Sequence, residues 1–399
     1  MKTQSISTIG RLMLTLVCSF TIAATVSAAH AQTFSVAYSF TGSADGGNPL
    51  NGLVTDSYGN MYGTATAGGT SNNGVVLKFT GSGETVLYNF AGGSDGASPQ
   101  GVLIFDLGDL FGTTYYGGTS GNGTVFGITS AGKEEVIYSF AGGSDGANPQ
   151  AGLAKDSAGN LYGTTRDGGA ANNGVVFKLT RPKKSGQPWI EQVLYSFGAA
   201  PDGATPVAGV TFDKAGNLYG TTSVGGTYGY GTIFELSPSG STWKETILHE
   251  FENGTDGGVP YAGLVADKAG NFFGAATEGD GGSAGGTVFE LTPSGSGWNF
   301  SLVYTLTGWN ISGTFRDVLL DSKDDIYATT HCDGANSAGT VYELTADKGN
   351  WDYTELYTFT GGSDGLYSFS NLVVSHGALY GTTNLGGAYG YGVIFKIAK

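Results

Sequence analysis

The 399-residue chain has two cysteines, four histidines and three methionines. Cys18 falls in an N-terminal segment that reads as a leader, so Cys332 is left alone and no intrachain disulfide can form. No cysteine pair, H-E-x-x-H or G-x-S-x-G occurs, which removes the common sequence signatures of zinc sites and serine hydrolases. Positive charge is also short. Eighteen Lys and Arg stand against 33 Asp and Glu, for a net charge of −15. No basic stripe interrupts that excess, so nucleic acid is excluded as a partner, because phosphate binding needs clustered Lys and Arg. One apolar run exists, Leu12 to Val26, and it is too short and too rich in Ala, Thr and Ser to span a membrane. Beyond it no stretch keeps a 3.6-residue apolar period, so long amphipathic helices are excluded. What the chain has in abundance is glycine, 71 residues, with 12% aromatics, and so many rings argue against a disordered glycine-rich polymer.

Lys2 and Arg11 precede the apolar run, and Ala29-His30-Ala31 closes it as an A-x-A cleavage pattern. Residues 1–31 therefore read as a secretory signal peptide cut before Gln32, with 32–399 as the mature domain. Loss of Lys2 and Arg11 takes the net charge from −15 to −17. The expected location is secreted or periplasmic, and the expected state a monomer held by its own core without disulfides.

The remainder is repetitive. A Y-x-F pair recurs at Tyr38/Phe40, Tyr88/Phe90, Tyr138/Phe140, Tyr195/Phe197 and Tyr357/Phe359, with degenerate copies at His249/Phe251 and Tyr304/Leu306. That makes seven units of about fifty residues, the longest enlarged by RPKKSGQPW at 181–189. Every unit has one internal order: an Asp-Gly turn, an apolar segment ending in Asp, a D-x-x-G-N turn, an NLYGTT segment, a glycine-rich loop, a GVVFKL segment, a polar turn, and the Y-x-F segment. The four segments are short, β-branched and aromatic, and bounded by Gly, Asn, Asp or Pro, so they read as strands. Four strands in each of seven units predict an all-β, seven-bladed β-propeller. The chain starts with a lone fourth-type strand, 34–40, and reaches its end on a third-type strand, 392–397. The first is expected to complete the last blade and remove its free edge.

Units such as LYGTTSVGGTYGYGTIFEL (218–236) and LYGTTNLGGAYGYGVIFKI (379–397) resemble the GloVer tandem repeat of exported bacterial proteins. The resemblance covers 34–399. It implies a propeller and little about activity, since that family is defined by its repeats and varied means of surface anchoring; the expectation here is a member that departs from the anchored ones in having no C-terminal anchor segment.

Alternation places the Asp-Gly turns and the glycine-rich loops on one face, where loops from all blades converge on the channel. The turn carboxylates Asp45, Asp95, Asp145, Asp202, Asp256 and Asp364 admit two readings: a Ca²⁺-binding ring, or a turn that each blade needs. Repetition in every blade favours the turn, so no cofactor is expected and Ca²⁺ is the alternative. Asp56, Asp106, Asp156, Asp213, Asp267 and Asp321 head the second turn, and Trp189, Trp243, Trp298 and Trp351 share one repeat position; both sets read as structural. The pattern breaks in unit six, where TGWNISGTFRD (307–317) and ATTHCDG (328–334) replace the usual loops. Trp309, Arg316, Asp317, His331, Cys332 and Asp333 then share one face and form the candidate ligand site: a stacking ring, a forked donor and carboxylates suited to an anionic or sugar ligand. The competing reading is drift in a degenerate blade. Tyr115, Tyr116, Tyr228, Tyr230, Tyr389 and Tyr391, in glycine-rich loops, are secondary candidates for sugar stacking. The function expected is a non-catalytic binding or scaffold propeller directed at extracellular carbohydrate or a surface component. The alternative is a propeller enzyme, a lyase or lactone hydrolase, whose catalytic residues the sequence does not name.

Overall fold

The computed structural model describes residues 32–81, 83–184, 186–279, 285–295, 297–307 and 313–398. The proposed leader and Trp309 lie outside this set. Blade one consists of Val54–Thr55, Met61–Ala65, Val75–Phe79 and Glu84–Asn89, each antiparallel to the next from channel to rim. The same order recurs in blades two to six, over 104–139, 154–196, 211–250, 265–305 and 319–358. Blade seven joins Val373–Ser375, Ala378–Thr383 and Val393–Ala398 to Thr33–Ser39 from the other end of the chain. Thr33 pairs with Ala398 and Ser39 with Val393, so the ring closes as the two orphan strands predict.

The repeat residues explain the stacking of the blades. Seven buried clusters lie one at each blade interface among the described residues. The Phe of each Y-x-F pair is fully enclosed in them, as at Phe90, Phe140 and Phe197. Trp189, Trp243, Trp298 and Trp351 pack against the edges of these clusters. The glycine of LYGTT lies under the phenylalanine of the neighbouring strand: a Cβ on Gly163 would sit 2.7 Å from the Phe177 ring. Blade six departs at that point, with Ala328 and Tyr342 in the two roles, and the Tyr342 hydroxyl shares a hydrogen bond with Thr314.

The first turn is built by its Asp. Its carboxylate reaches back to accept the backbone N–H four residues earlier, as at Ala141→Asp145, and the hydroxyl of the repeat Tyr seven residues earlier, as at Tyr138→Asp145 (2.6 Å). The same pair of bonds forms at Asp45, Asp95, Asp202 and Asp364. In blade four the imidazole of His249 takes the place of the hydroxyl, 3.1 Å from Asp256. The second turn is a side-chain-capped loop: Asp156 accepts from the Ala158 and Asn160 backbones, the Asn160 amide and the Tyr162 hydroxyl.

Candidate functional site: the channel and its mouth

The innermost segment of each blade follows one register. Asn51, Gly101, Ala151, Ala208, Ala262, Arg316 and Ser370 share one position, Gly52, Val102, Gly152, Gly209, Gly263, Asp317 and Asn371 the next, and residues of both positions line the channel. These segments are latched to the preceding blade by a Thr of the GTT motif. Thr113, Thr164, Thr221, Thr329 and Thr382 donate to the carbonyls of Ala151, Ala208, Ala262, Ser370 and Asn51 at 2.7–3.0 Å. The Thr382 bond carries the latch across the closure. Blade five has Ala275 at that position, so the Arg316 carbonyl does not receive this latch.

Five of the seven residues at the first position are Gly, Ala or Ser, and the two long polar ones, Asn51 and Arg316, line the same constriction. Arg316 reaches across: its Nε donates to the Leu50 carbonyl of blade one at 3.2 Å. Asp317, next in an extended segment, points the other way and accepts the Gly263 N–H of blade five at 2.6 Å. Adjacent residues of an extended chain diverge, so no ion pair joins Arg316 to Asp317. Burial pushes the Arg316 guanidinium down to about 10 and raises the Asp317 carboxyl. Asn371 accepts the Gly52 N–H at 3.2 Å. Asn51 is 1% exposed, and neither atom of its amide has a hydrogen-bond partner. Asn51, Arg316, Asp317 and Asn371 line one constriction of about 20 Å³, to which all seven blades contribute.

Above the constriction the channel widens into the mouth. The residues one step earlier in the register are Leu50, Gln100, Gln150, Val207, Tyr261, Phe315 and Phe369, of which Gln100, Gln150, Val207 and Tyr261 line the mouth. A hollow of about 300 Å³ lies over blades two to five, lined by Gln100, Gln150, Tyr115, Tyr116, Arg166, Val207 and Tyr261. Arg166 donates to the Tyr115 hydroxyl at 2.7 Å, and Tyr115 meets Tyr116 edge-on. On the other side the rings run on: Tyr261 contacts Phe315, and Phe315 contacts both Phe369 and His331. His331 is packed 4.2 Å from Phe369 and 4.5 Å from Tyr367, with its Nδ1 buried and unpartnered. Desolvation pushes this imidazole down to about 4, so it is neutral at ordinary pH.

The structure thus brings Arg316 and Asp317 to the axis, His331 to the aromatic wall, and Tyr115 and Tyr116 to the mouth. Asp333 closes its own turn by accepting the Gly334 N–H, and Cys332 is a half-buried free thiol raised by burial. Tyr228, Tyr230, Tyr389 and Tyr391 stand exposed on blades four and seven, away from the mouth hollow. The six turn carboxylates are spread one to a blade, and among the described residues no three His, Cys, Asp or Glu side chains converge to hold a metal. Gln100, Gln150, Arg166, Tyr261 and Phe315 escaped the sequence reading. Aligning the residue after Pro49, Pro99, Pro149, Pro206 and Pro260 would have gathered three of them, Gln100, Gln150 and Tyr261, while Phe315 follows Thr314 in the degenerate unit. Larger hollows exist elsewhere. One of about 500 Å³ lies between the turns of Asp213 and Asp267, whose carboxylates are occupied by turn bonds. Another, of about 350 Å³, lies under the 181–189 insertion. Neither of these gathers side chains from more than two blades, whereas a third, of about 330 Å³, lies across the constriction from the mouth and is lined from six blades, with Lys155, Phe212, Asp317 and Asn371.

A ring closed by its own first strand, with seven near-identical blades and a substituted axis, defines the class: a seven-bladed β-propeller built from tandem repeats. The chain belongs to the Gloeobacter/Verrucomicrobia repeat family, whose model matches residues 20–216 and 209–399. No curated protein matches it. Among solved structures it is similar to PorZ, a surface component of the type-IX secretion system of Porphyromonas gingivalis (18% identity, TM-score 0.55). That match covers 86% of this chain and 46% of PorZ, so the chain spans less than half of that protein. It is also similar to the extracellular domain of a B. thetaiotaomicron protein assigned as a one-component system (11% identity, TM-score 0.56, 86% of this chain and 37% of that one). A third likeness is to a Bacteroides uniformis protein assigned as a 6-phosphogluconolactonase (14% identity, TM-score 0.52, 77% and 84%). At these identities the likeness is one of fold. No helix among the described residues is long and apolar enough to cross a membrane.

Proposed function

We propose that the protein is an exported, non-catalytic binding propeller that recognises extracellular carbohydrate, free or carried by a surface component, at the channel mouth. One observation carries the reading: at the mouth, side chains from four blades combine three tyrosine rings with fixed donors and acceptors. Tyr115, Tyr116 and Tyr261 supply faces for a pyranose, and Gln100, Gln150 and Arg166 supply bonds to its hydroxyls. Pockets of about 300 Å³ are at the lower end of the ligand-site range, which suits one or two sugar rings. The enzyme alternative needs a base there. His331 is the histidine of this face, and its ring is neutral and enclosed by Phe315, Tyr367 and Phe369, which weighs for binding over catalysis. Residues 1–31 act in this reading as the export signal, so the secreted protein should begin at Gln32 by N-terminal sequencing. PorZ, of the same fold, is itself a bacterial surface component. The deciding experiment is a glycan array with the wild-type protein and Tyr261→Ala, run with and without Ca²⁺. Binding that disappears in the variant supports the mouth. A protein that binds no glycan, or binds equally well without the Tyr261 ring, refutes it.

A further inference from the structure

We infer that the mouth selects a carboxylate-bearing sugar of the hexuronate class, with the carboxylate seated in the constriction against Arg316 and Asn51. The inference rests on the carbohydrate reading above and adds the charge and the pose of the ligand.

Arginine is rare in this chain. There are four in 399 residues, at 11, 166, 181 and 316, and two of them line the channel. The rest of the protein is strongly acidic and repels anions, so these two guanidiniums are where an anion gains most. Arg316 reaches the axis by spending its Nε on the Leu50 carbonyl, while Asp317 is turned away to Gly263. Its two terminal nitrogens make no hydrogen bond or ion pair with any described residue. They form the fork that matches a carboxylate. Beside them the Asn51 amide is buried and unpartnered. An amide left so is unfavourable unless something occupies the site, and its N–H groups are donors of the kind a carboxylate oxygen accepts. The constriction, about 20 Å³, exceeds the volume one water needs and has no room for a sugar ring. The ring stays above, in the hollow of about 300 Å³ whose walls are Tyr115, Tyr116 and Tyr261, with its carboxylate directed down the axis, since the hollow of about 330 Å³ across the constriction has no tyrosine or tryptophan in its lining. Tyr261 lines both spaces and so fixes the junction between ring and carboxylate. Arg166 is held by Tyr115 at the outer edge of the same hollow, where it attracts the anion without closing the seat.

The test is isothermal titration of the full-length purified protein with oligogalacturonate, with its neutral galactose counterpart, and with a short peptide bearing a free C-terminal carboxylate, at low salt. The uronate should bind about tenfold or more tighter than the neutral sugar, the gain expected of one charge-assisted fork. Arg316→Gln should erase that preference and leave the neutral-sugar affinity within about twofold. Because Arg316 is enclosed, Asn51→Asp is the second variant. It is nearly isosteric, places a negative charge in the seat, and should also abolish the uronate preference. Equal binding of the two sugars, both lost in Tyr261→Ala, overturns the carboxylate assignment and leaves the carbohydrate reading standing. A uronate preference that survives both variants overturns the seat, as does one lost in Arg166→Gln alone. Preference for the peptide over both sugars overturns the sugar assignment, and binding of none of the three overturns both readings.

Discussion

Glu84, Glu134, Glu191 and Glu245 occupy one position of the outermost strand in blades one to four, four residues before the repeat Tyr or His. Each lies beside the Asp turn of the preceding blade, at Asp45, Asp95, Asp145 and Asp202 respectively, and each has Oε1 buried without a partner. Desolvation first, and the neighbouring Asp charge second, push all four up to about 7 from an ordinary value near 4.5. In blades five, six and seven an aromatic ring holds the same position and stacks on the repeat residue before it: Phe300 on His249 (3.8 Å), Tyr353 on Tyr304 (5.3 Å) and Phe34 on Tyr357 (3.6 Å). Folding therefore raises these carboxyls above their unfolded values, and the native state binds more protons than the unfolded chain. Their contribution is fully present below about pH 4.5 and is lost as pH rises through about 7. A shift of that size would amount to roughly 3 kcal/mol per group if fully buried, but these residues keep part of their surface in water, and screening reduces it to about 1 kcal/mol each. Replacing all four by Gln should leave stability at pH 5 within about 1 kcal/mol of wild type and raise it by about 2–4 kcal/mol at pH 8, which removes most of the pH slope. Urea unfolding followed by tryptophan fluorescence at pH 5, 6, 7 and 8 measures this. If wild type and the quadruple variant lose stability in parallel between pH 5 and 8, the interblade carboxyls do not titrate as their surroundings require.

Three further outcomes are expected. Asp145→Ala removes acceptors from the Ala141 N–H and the Tyr138 hydroxyl and should cost about 1–2 kcal/mol in urea unfolding; a loss under about 0.3 kcal/mol would show that the turn holds without its carboxylate. Asp45, Asp56, Asp156 and Asp364 are held below the usual carboxylate range by the hydrogen bonds they accept, which outweigh the cost of burial; the stability they provide is present above about pH 4 and should fall away on further acidification, giving an optimum near pH 4–6 in thermal melts. Deleting residues 32–40 strips Val393–Ala398 of its partner and should yield aggregation in size-exclusion chromatography; a monomer that melts at the wild-type temperature would mean that closure adds nothing.

The blade count, the strand order and the closure are legible in the sequence because each rests on local chemistry repeated seven times. A degenerate unit such as 307–358 is still recognised by its neighbours, and an orphan segment at each end implies one shared blade. Chemistry at the axis does not repeat, and repetition cannot expose it. Arg316 and Asp317 stand out because they break a pattern, but their divergence, one to Leu50 and the other to Gly263, depends on how an extended segment is seated in the closed ring. Asn51 looks like any loop asparagine until the latch from Thr382 brings blade seven against blade one and buries its amide. Gln100, Gln150, Tyr261 and Phe315 lie one or two repeats apart and come together because the blades place equivalent residues around one axis. The sequence alone determined the local elements and their number, since hydrogen-bonded strands and turns are specified by neighbours in the chain. Only the tertiary structure decided which side chains share the mouth, since that depends on ring closure between residues far apart in the chain.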